Sequence, residues 1–335
     1  MSLYKFEDIR LVHLEISSRC NAACPQCLRN FYGYPYNNGY VERDLTLQDV
    51  KKIFKPEFVK QLWKVAINGN FGDIVMNPES LDIIEYFKQH GDHCLDIYIS
   101  TNGGAKNRQF WQRLAELNCL VSFCIDGLED THSIYRRNTL YSTVIRNAET
   151  FIGAGGRAIW NMIEFDHNQH QIEQCKKLSE DMGFERFDLI HQGRTRGPVY
   201  DTQGKLVYIM GPGTADEYNF KTHLGTRTTQ VITIKDVTQD IKPIRCQVQQ
   251  RQEIYVASTG DVYPCCYLGA HPQAYGQGTD MYPANQQVKA IMQENNALVY
   301  DLEHCIKWFD RVEESWSKSD FESGRLLHCN KNCGY

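Results

Sequence analysis

Three cysteines near the start of the chain, Cys20, Cys24 and Cys27, stand in the run Ser18-Arg-Cys-Asn-Ala-Ala-Cys-Pro-Gln-Cys-Leu. The C-x3-C-x2-C spacing puts three thiolates on one short loop. That is enough to hold three irons of a cubane cluster and leave the fourth open to a bound molecule. Four-cysteine sites close every iron, so an open corner points to chemistry rather than electron storage alone. Zinc is the first alternative, but structural zinc uses paired C-x2-C knuckles and a fourth ligand. His13 is available, yet it lies on the segment before the loop. Three unrelated thiols are the second alternative. Spacing and position together favour the cluster, with the three cysteines as both metal ligands and catalytic residues.

The elements that must position this loop follow from periodicity. Residues 11–17 alternate apolar and polar side chains and read as a strand that runs directly into the cysteine loop. Further strands are predicted at Trp63–Asn68, Leu95–Ser100, Leu120–Ile125, Ala158–Phe165 and Phe187–His191. Between them, helical spacing covers 45–60 (with Thr46 as N-cap), 78–87, 107–117, 142–152 and 169–182. Six strand–helix repeats imply a parallel α/β sheet with helical crossovers, too few for a closed eight-stranded barrel and fitting a partial (β/α)6 TIM-like barrel. Ligands in such sheets gather beyond the carboxyl ends of the strands, where the cysteine loop falls.

The 335 residues, 42% of them hydrophobic, suffice for one large α/β domain and a smaller one. The repeat stops after His191, which divides the chain into a core at 1–192, a connector or insertion at 193–242 and a C-terminal unit at 243–335. That unit holds Cys246, Cys265, Cys266, Cys305, Cys329 and Cys333. It also shows a hairpin pattern at 253–263 and helical spacing over 309–327. The formal net charge of −5 disfavours a general nucleic-acid binder. No apolar run has membrane-spanning length, and the first residues lack the apolar core of a signal peptide. Thirteen cysteines, an odd number, then read as ligands and buried thiols in a reducing cytoplasm rather than a disulfide framework.

The cysteine run resembles the signature of the radical S-adenosylmethionine (SAM) enzymes, with Gln26 where that family usually has an aromatic residue. Other strand ends are similar too. Gly69-Asn70-Phe-Gly72-Asp73 resembles the family's Gly-Gly-Glu-Pro run, which accepts the amino group of SAM, with Gly72-Asp73 in place of Gly-Glu. Thr101-Asn102-Gly resembles the turn after the third strand. The resemblance puts Ser122 and Asp126, on and after the fourth strand, near the ribose or adjoining substrate, and Asn161 on the fifth is a further polar candidate. His132-Ser-Ile-Tyr-Arg136 resembles a His-Asp-x-x-Arg segment whose arginine clamps the methionine carboxylate, with Ser133 departing from the Asp.

The C-x13-G-x4-C arrangement of Cys246, Gly260 and Cys265, with Cys329-x3-Cys333, resembles the SPASM/Twitch extension, which adds auxiliary clusters. The shorter, single-cluster Twitch form fits better, giving an α+β iron–sulfur domain with Cys246, Cys265, Cys329 and Cys333 as ligands. Cys266 and Cys305 are substitutes, and a zinc knuckle is the alternative. The resemblance implies a [4Fe-4S] cluster, SAM, one auxiliary [4Fe-4S] cluster and an electron donor such as flavodoxin or ferredoxin. It implies cleavage of SAM to a 5′-deoxyadenosyl radical that takes a hydrogen from a peptide or protein side chain. A small-molecule or nucleotide substrate is the alternative, and a non-enzymatic zinc module the third reading. Glu164, His167, His191, Arg194 and Arg196 near strand ends five and six are weaker substrate candidates, as is the aromatic stretch 31–36.

Overall fold

The computed structural model describes residues 5–35, 41–191, 197–211, 234, 240–274 and 283–335. Its strands are β1 (Leu11–Leu14), β2 (Asn30–Phe31), β3 (Tyr34–Pro35), β4 (Lys64–Ile67), β5 (Asp96–Thr101), β6 (Leu120–Cys124), β7 (Arg157–Ile163), β8 (Arg186–Ile190), β9 (Gly197–Tyr200), β10 (Leu206–Met210), β11 (Glu253–Val256) and β12 (Val262–Tyr263). One eight-stranded sheet runs β12-β11-β1-β4-β5-β6-β7-β8 and does not close. The six strands read from the sequence are β1 and β4 to β8. They pair in parallel in chain order, so each crossover advances the sheet one strand in the same direction.

One face of the sheet is apolar because every second strand residue is. β5 alternates half-buried and buried positions along its length. Its buried residues join Phe123, Trp111 and Phe151 beneath the helices, where the Trp111 and Phe123 rings lie 5.2 Å apart and Phe123 and Phe151 5.9 Å. The opposite face is polar. Register places Ser100 beside Ser122, and Cys124 beside Asn161 beside Asp188.

Two helical expectations needed correction. The helix foreseen over 45–60 is two, Leu47–Ile53 and Pro56–Lys60. Proline has no N–H for a continuing helix and is well placed at a first turn. Thr46 caps the first helix as expected, its hydroxyl accepting from the Asp49 amide at 3.0 Å. The helix foreseen over 309–327 ends at Ser315, and a separate helix spans Leu327–Cys333. Between them Asp320 accepts from the Ser323 amide at 2.6 Å and Gly324 takes φ +105°, local turn bonds that compete with a helix.

The hairpin foreseen at 253–263 is present, and its placement could not be read locally. β11 pairs in parallel with β1 over Leu11–Leu14 and Glu253–Val256, while β12 pairs antiparallel at the sheet edge. The C-terminal segment is thus α+β, and its hairpin continues the core sheet on the side of the cysteine loop.

Candidate active site

The cysteine loop leaves β1 at the carboxyl end of the parallel sheet and is fixed by its backbone. Arg29 donates to the carbonyls of Cys20 (3.1 Å) and Ala22 (3.4 Å), and Asn30 Nδ2 donates to that of Cys24 (2.9 Å). The Ala23 amide donates to the Arg137 carbonyl at 2.9 Å, which ties the loop to the segment after β6. The three thiols share an apolar nest with Ala22, Tyr135, Ile163, Phe165, Val199 and Met210. Burial raises Cys20, as do the nearby Asp73 and the Cys24 and Cys27 sulfurs. Burial pushes Cys24 up to about 11, with Arg136 opposing and Cys27 adding to the rise. Cys20 and Cys24, desolvated and beside the Cys27 sulfur, need a cationic centre before they can be thiolates together. His13 is no fourth ligand: its Nε2 donates to the Asn68 carbonyl at 2.6 Å.

Two polar side chains reach the sulfurs. Asn102 Nδ2 lies 3.5 Å from Cys20 Sγ and 3.0 Å from Asn21 Oδ1, and Arg136 Nη1 lies 3.8 Å from Cys24 Sγ. Arg136 is held by Asp126, whose Oδ2 accepts from Nε at 2.6 Å while Oδ1 accepts the Ile163 amide at 2.7 Å. Asp126 keeps Arg136 charged despite its burial. His132 supports this corner: its Nδ1 accepts the Asp126 amide at 3.3 Å, and burial then Arg136 hold it neutral at about 3.

Asp73 sits at the end of the loop after β4. It accepts from Thr101 Oγ1 (2.7 Å) and from the Asn102 (2.7 Å) and Val75 (3.1 Å) amides, so this acid ties the ends of β4 and β5 together. Gly72 packs so tightly on β1 that a Cβ there would stand 1.7 Å from the Ser17 carbonyl oxygen. Ser122 and Asn161 lie on the polar face of the sheet, with Ser122 buried and Asn161 half-buried. Gly69, Gly72, Asp73, Thr101, Asn102, Asp126 and Arg136 therefore meet around the cysteine loop. Asn70 turns its amide away, to the Cys266 carbonyl at 3.1 Å.

Glu15 escaped sequence reasoning, which saw only a polar position in an alternating strand. It is 1% exposed. Its Oε1 accepts the Phe71 (2.7 Å) and Gly72 (3.0 Å) amides, and its Oε2 accepts the Tyr255 hydroxyl at 2.6 Å. A charged residue inside an apolar run beside the cysteine loop was the available signal.

The C-terminal cysteines sort into a group and two outsiders. Cys246, Cys265, Cys329 and Cys333 line one cavity of about 70 Å³, closed by Pro264, Leu268, Val312 and Trp316. Cys246 and Cys333 are hydrogen-bonded, which raises the former and lowers the latter to about 6. Burial raises Cys265 and pushes Cys329 up to about 12, and the Cys329 sulfur adds to the rise at Cys265. Cys266 and Cys305 do not line the cavity. Cys305 instead faces the Tyr300 carbonyl at 3.9 Å. Among the described residues no three His, Cys, Asp or Glu side chains close on a point as ligands of one ion do. A ring of thiols around a cavity suits a centre with width of its own.

The remaining cysteines, Cys94, Cys119, Cys124 and Cys175, read from their predicted strands and helices as buried thiols; Cys119 and Cys175 are buried, whereas Cys94 is exposed. Cys124 is half-buried, its sulfur 3.5 Å from Ser100 Oγ. Glu164 and His191 pair at 2.6 Å at the ends of β7 and β8, and His167 stacks on Phe165 with ring centres 5.1 Å apart. Arg194 and Arg196 lie outside the described residues, as does Tyr36. Phe31 stacks on Tyr200 at 6.1 Å, so the aromatic stretch packs under the β9–β10 hairpin. Among the described residues no helix is long and apolar enough to cross a membrane.

This α/β architecture, an open and mostly parallel sheet with a thiol loop at its carboxyl end, is shared with several solved structures. Superposition on Streptococcus suis SuiB gives a TM-score of 0.57 at 14% identity, covering 96% of this chain and 72% of SuiB. SuiB bound to precursor peptide SuiA gives 0.53 at 14% identity, covering 96% and 76%. Native anSMEcpe with bound AdoMet and the Cp18Cys peptide gives 0.54 at 17% identity, covering 96% and 90%. In sequence, 130 residues are 29% identical to the tungsten-containing aldehyde ferredoxin oxidoreductase cofactor-modifying protein of Pyrococcus furiosus, 38% of this chain and 33% of that one. The match thus spans about a third of that relative. No protein-family model matches the chain.

Proposed function

We propose that this chain is a radical SAM enzyme that modifies a peptide or protein side chain, by oxidation, crosslink or thioether formation. The observation that carries the reading is the meeting of three thiols in an apolar nest with Asn102 and Arg136 at the carboxyl end of the parallel strands. Cys20, Cys24 and Cys27 would hold a [4Fe-4S] cluster with one iron left for SAM. Bound there, cluster and SAM would supply a 5′-deoxyadenosyl radical for hydrogen abstraction from an unreactive carbon.

The chain's own residues orient and exclude. Arg136 keeps its charge and a planar fork suited to a carboxylate. The Gly69–Asp73 loop offers close backbone approach to an amino acid end. Ser122, Asp126 and Asn161 suit ribose hydroxyls as donors and acceptors. The apolar nest around the thiols keeps water from the reacting centre. Residues 1–192 would form the core, 193–242 the connector, and 243–335 a Twitch-like unit whose four thiols hold an auxiliary [4Fe-4S] cluster. An acidic donor such as flavodoxin or ferredoxin would supply electrons, in a reducing cytoplasm.

Peptide as substrate is supported by the same fold seated on peptides in SuiB and anSMEcpe. A small-molecule substrate is the second reading, favoured by the local likeness to a cofactor-modifying protein. The test is 5′-deoxyadenosine release, by mass spectrometry, from anaerobically reconstituted chain with SAM, dithionite and candidate peptides. Release by the wild type and none by the Cys20/Cys24/Cys27→Ala variant is the expected result. No release from a loaded, reduced wild type contradicts the reading.

A further inference from the structure

The 69–72 loop is gripped from two sides, and one grip belongs to the C-terminal unit. From the core side, the buried Glu15 carboxylate takes the Phe71 and Gly72 amides on Oε1. A Cβ on Gly69 would stand 2.6 Å from that same oxygen, so loop and carboxylate are in direct contact. From the other side, Tyr255 on β11 donates its hydroxyl to Glu15 Oε2 at 2.6 Å. The Tyr255 ring is itself fixed against His13 and Tyr263, with centres 5.0 and 6.1 Å away. A second tie runs from Asn70 Nδ2 to the carbonyl of Cys266 at 3.1 Å, one residue after Cys265 in the thiol cavity.

A carboxylate removed from water is retained at a cost unless its lone pairs are satisfied, and charge-assisted bonds of this kind are the strong ones. Here all three donors come from the two segments being joined. Glu15 lies just past β1 and bonds the Phe71 and Gly72 amides, so its work is done through the loop backbone.

We propose that Glu15 and Tyr255 are positioning residues. They hold the 69–72 loop in the form that accepts the amino acid end of SAM, and through them the C-terminal thiol unit sets how tightly SAM binds. The inference rests on the reading that this loop receives SAM. Coupling between sites is reciprocal, so whatever factor filling the C-terminal thiol site applies to SAM affinity, SAM applies to that site in return.

The experiment is SAM titration by calorimetry on anaerobically reconstituted full-length chain. Each sample is paired with the electron paramagnetic resonance spectrum of the reduced N-terminal cluster with and without SAM. Tyr255→Phe keeps the ring and its packing and removes only the hydroxyl. It is expected to weaken SAM binding about tenfold, within the usual range of coupling. Iron content and thermal midpoint should match the wild type, and the SAM-induced spectral change should be smaller. Glu15→Gln keeps an acceptor for the two amides and is expected to give a milder loss. The double variant should fall short of the sum of the two single losses, since both residues belong to one hydrogen-bonded network on the 69–72 loop.

Wild-type affinity and an unchanged spectral response in Tyr255→Phe would overturn the inference while leaving the proposed function intact. Failure of the wild type itself to bind SAM with its cluster loaded would overturn both.

Discussion

The two thiol groups of this chain differ in number, in neighbours and in origin along the sequence. The N-terminal triplet lies on one loop, with Asn102 and Arg136 on its sulfurs and a ring of strand ends around it. The C-terminal four come from three separate segments and close on a small cavity whose other walls mix Leu268, Val312 and Trp316 with Arg251, His328 and Asn332. Three sulfurs beside polar hands describe a site built to receive something further. Four sulfurs around one cavity, enough to close every iron of a cubane, describe a centre that is complete once its own atoms are in place. The lesson is that the surroundings of a thiol group, as much as its count, separate a reacting centre from a supporting one.

The largest effect should come from removing the triplet. The Cys20/Cys24/Cys27→Ala chain is expected to lose about four irons and all 5′-deoxyadenosine release, while keeping the C-terminal centre. Iron analysis with product mass spectrometry checks it, and retained release would break the comparison. Cys333→Ala is the mirror test. About four irons should be lost again, yet SAM cleavage should continue while modified product disappears. If cleavage stops as well, the two centres do not divide the work as described.

Gly72→Ala should follow in size. Its Cβ would meet the Ser17 carbonyl oxygen at 1.7 Å, so the loop must move. A loss of about 2–3 kcal/mol in unfolding free energy and of measurable SAM binding is expected, from denaturant titration and calorimetry.

Acid should act through His13 and His132. Burial, the leading cause for both, lowers them to about 4 and about 3 in the folded chain, below the ordinary histidine value of 6.5. Their neutral forms are the folded ones. This stability is therefore complete above about pH 6.5 and falls as pH drops toward 4 and then 3, at up to about 1.4 kcal/mol per pH unit for each. Denaturant titration of cluster-free chain between pH 6.5 and 5 checks the slope, which should shrink in His13→Asn. The smallest effect belongs to a site remote from both centres. Thr46→Ala should cost about 1 kcal/mol through its lost cap and leave SAM binding alone, as a thermal scan and titration would show.

Much of this was legible in the sequence because it is local. Each strand of the core carries its own alternation, each helix its own spacing, and the cysteine loop its own intervals. Asp73, Thr101, Asn102, Asp126 and Arg136 were singled out by the family resemblance, and strand ends in a parallel sheet fall together. What escaped is long-range. β11 joins β1 by backbone pairing, and Glu15 meets Tyr255 across 240 residues, contacts that leave no trace in either segment's pattern. Asn102 read as a cofactor contact, and its bond to the Cys20 sulfur depends on a loop fold that spacing does not encode. The choice of Cys333 and Cys329 over Cys305 and Cys266 came from the resemblance, since spacing alone does not say which way each element turns its thiol.

The central claim is that the triplet leaves one iron open for SAM while the four C-terminal thiols close theirs. Electron–nuclear double resonance on the reduced chain with SAM labelled at its amino nitrogen tests it directly. Nitrogen coupling to the N-terminal cluster in the wild type, absent in the triple cysteine variant that keeps only the C-terminal centre, is the expected result. No coupling in a loaded, reduced wild type saturated with SAM, or coupling that survives in the triple variant, would contradict the account.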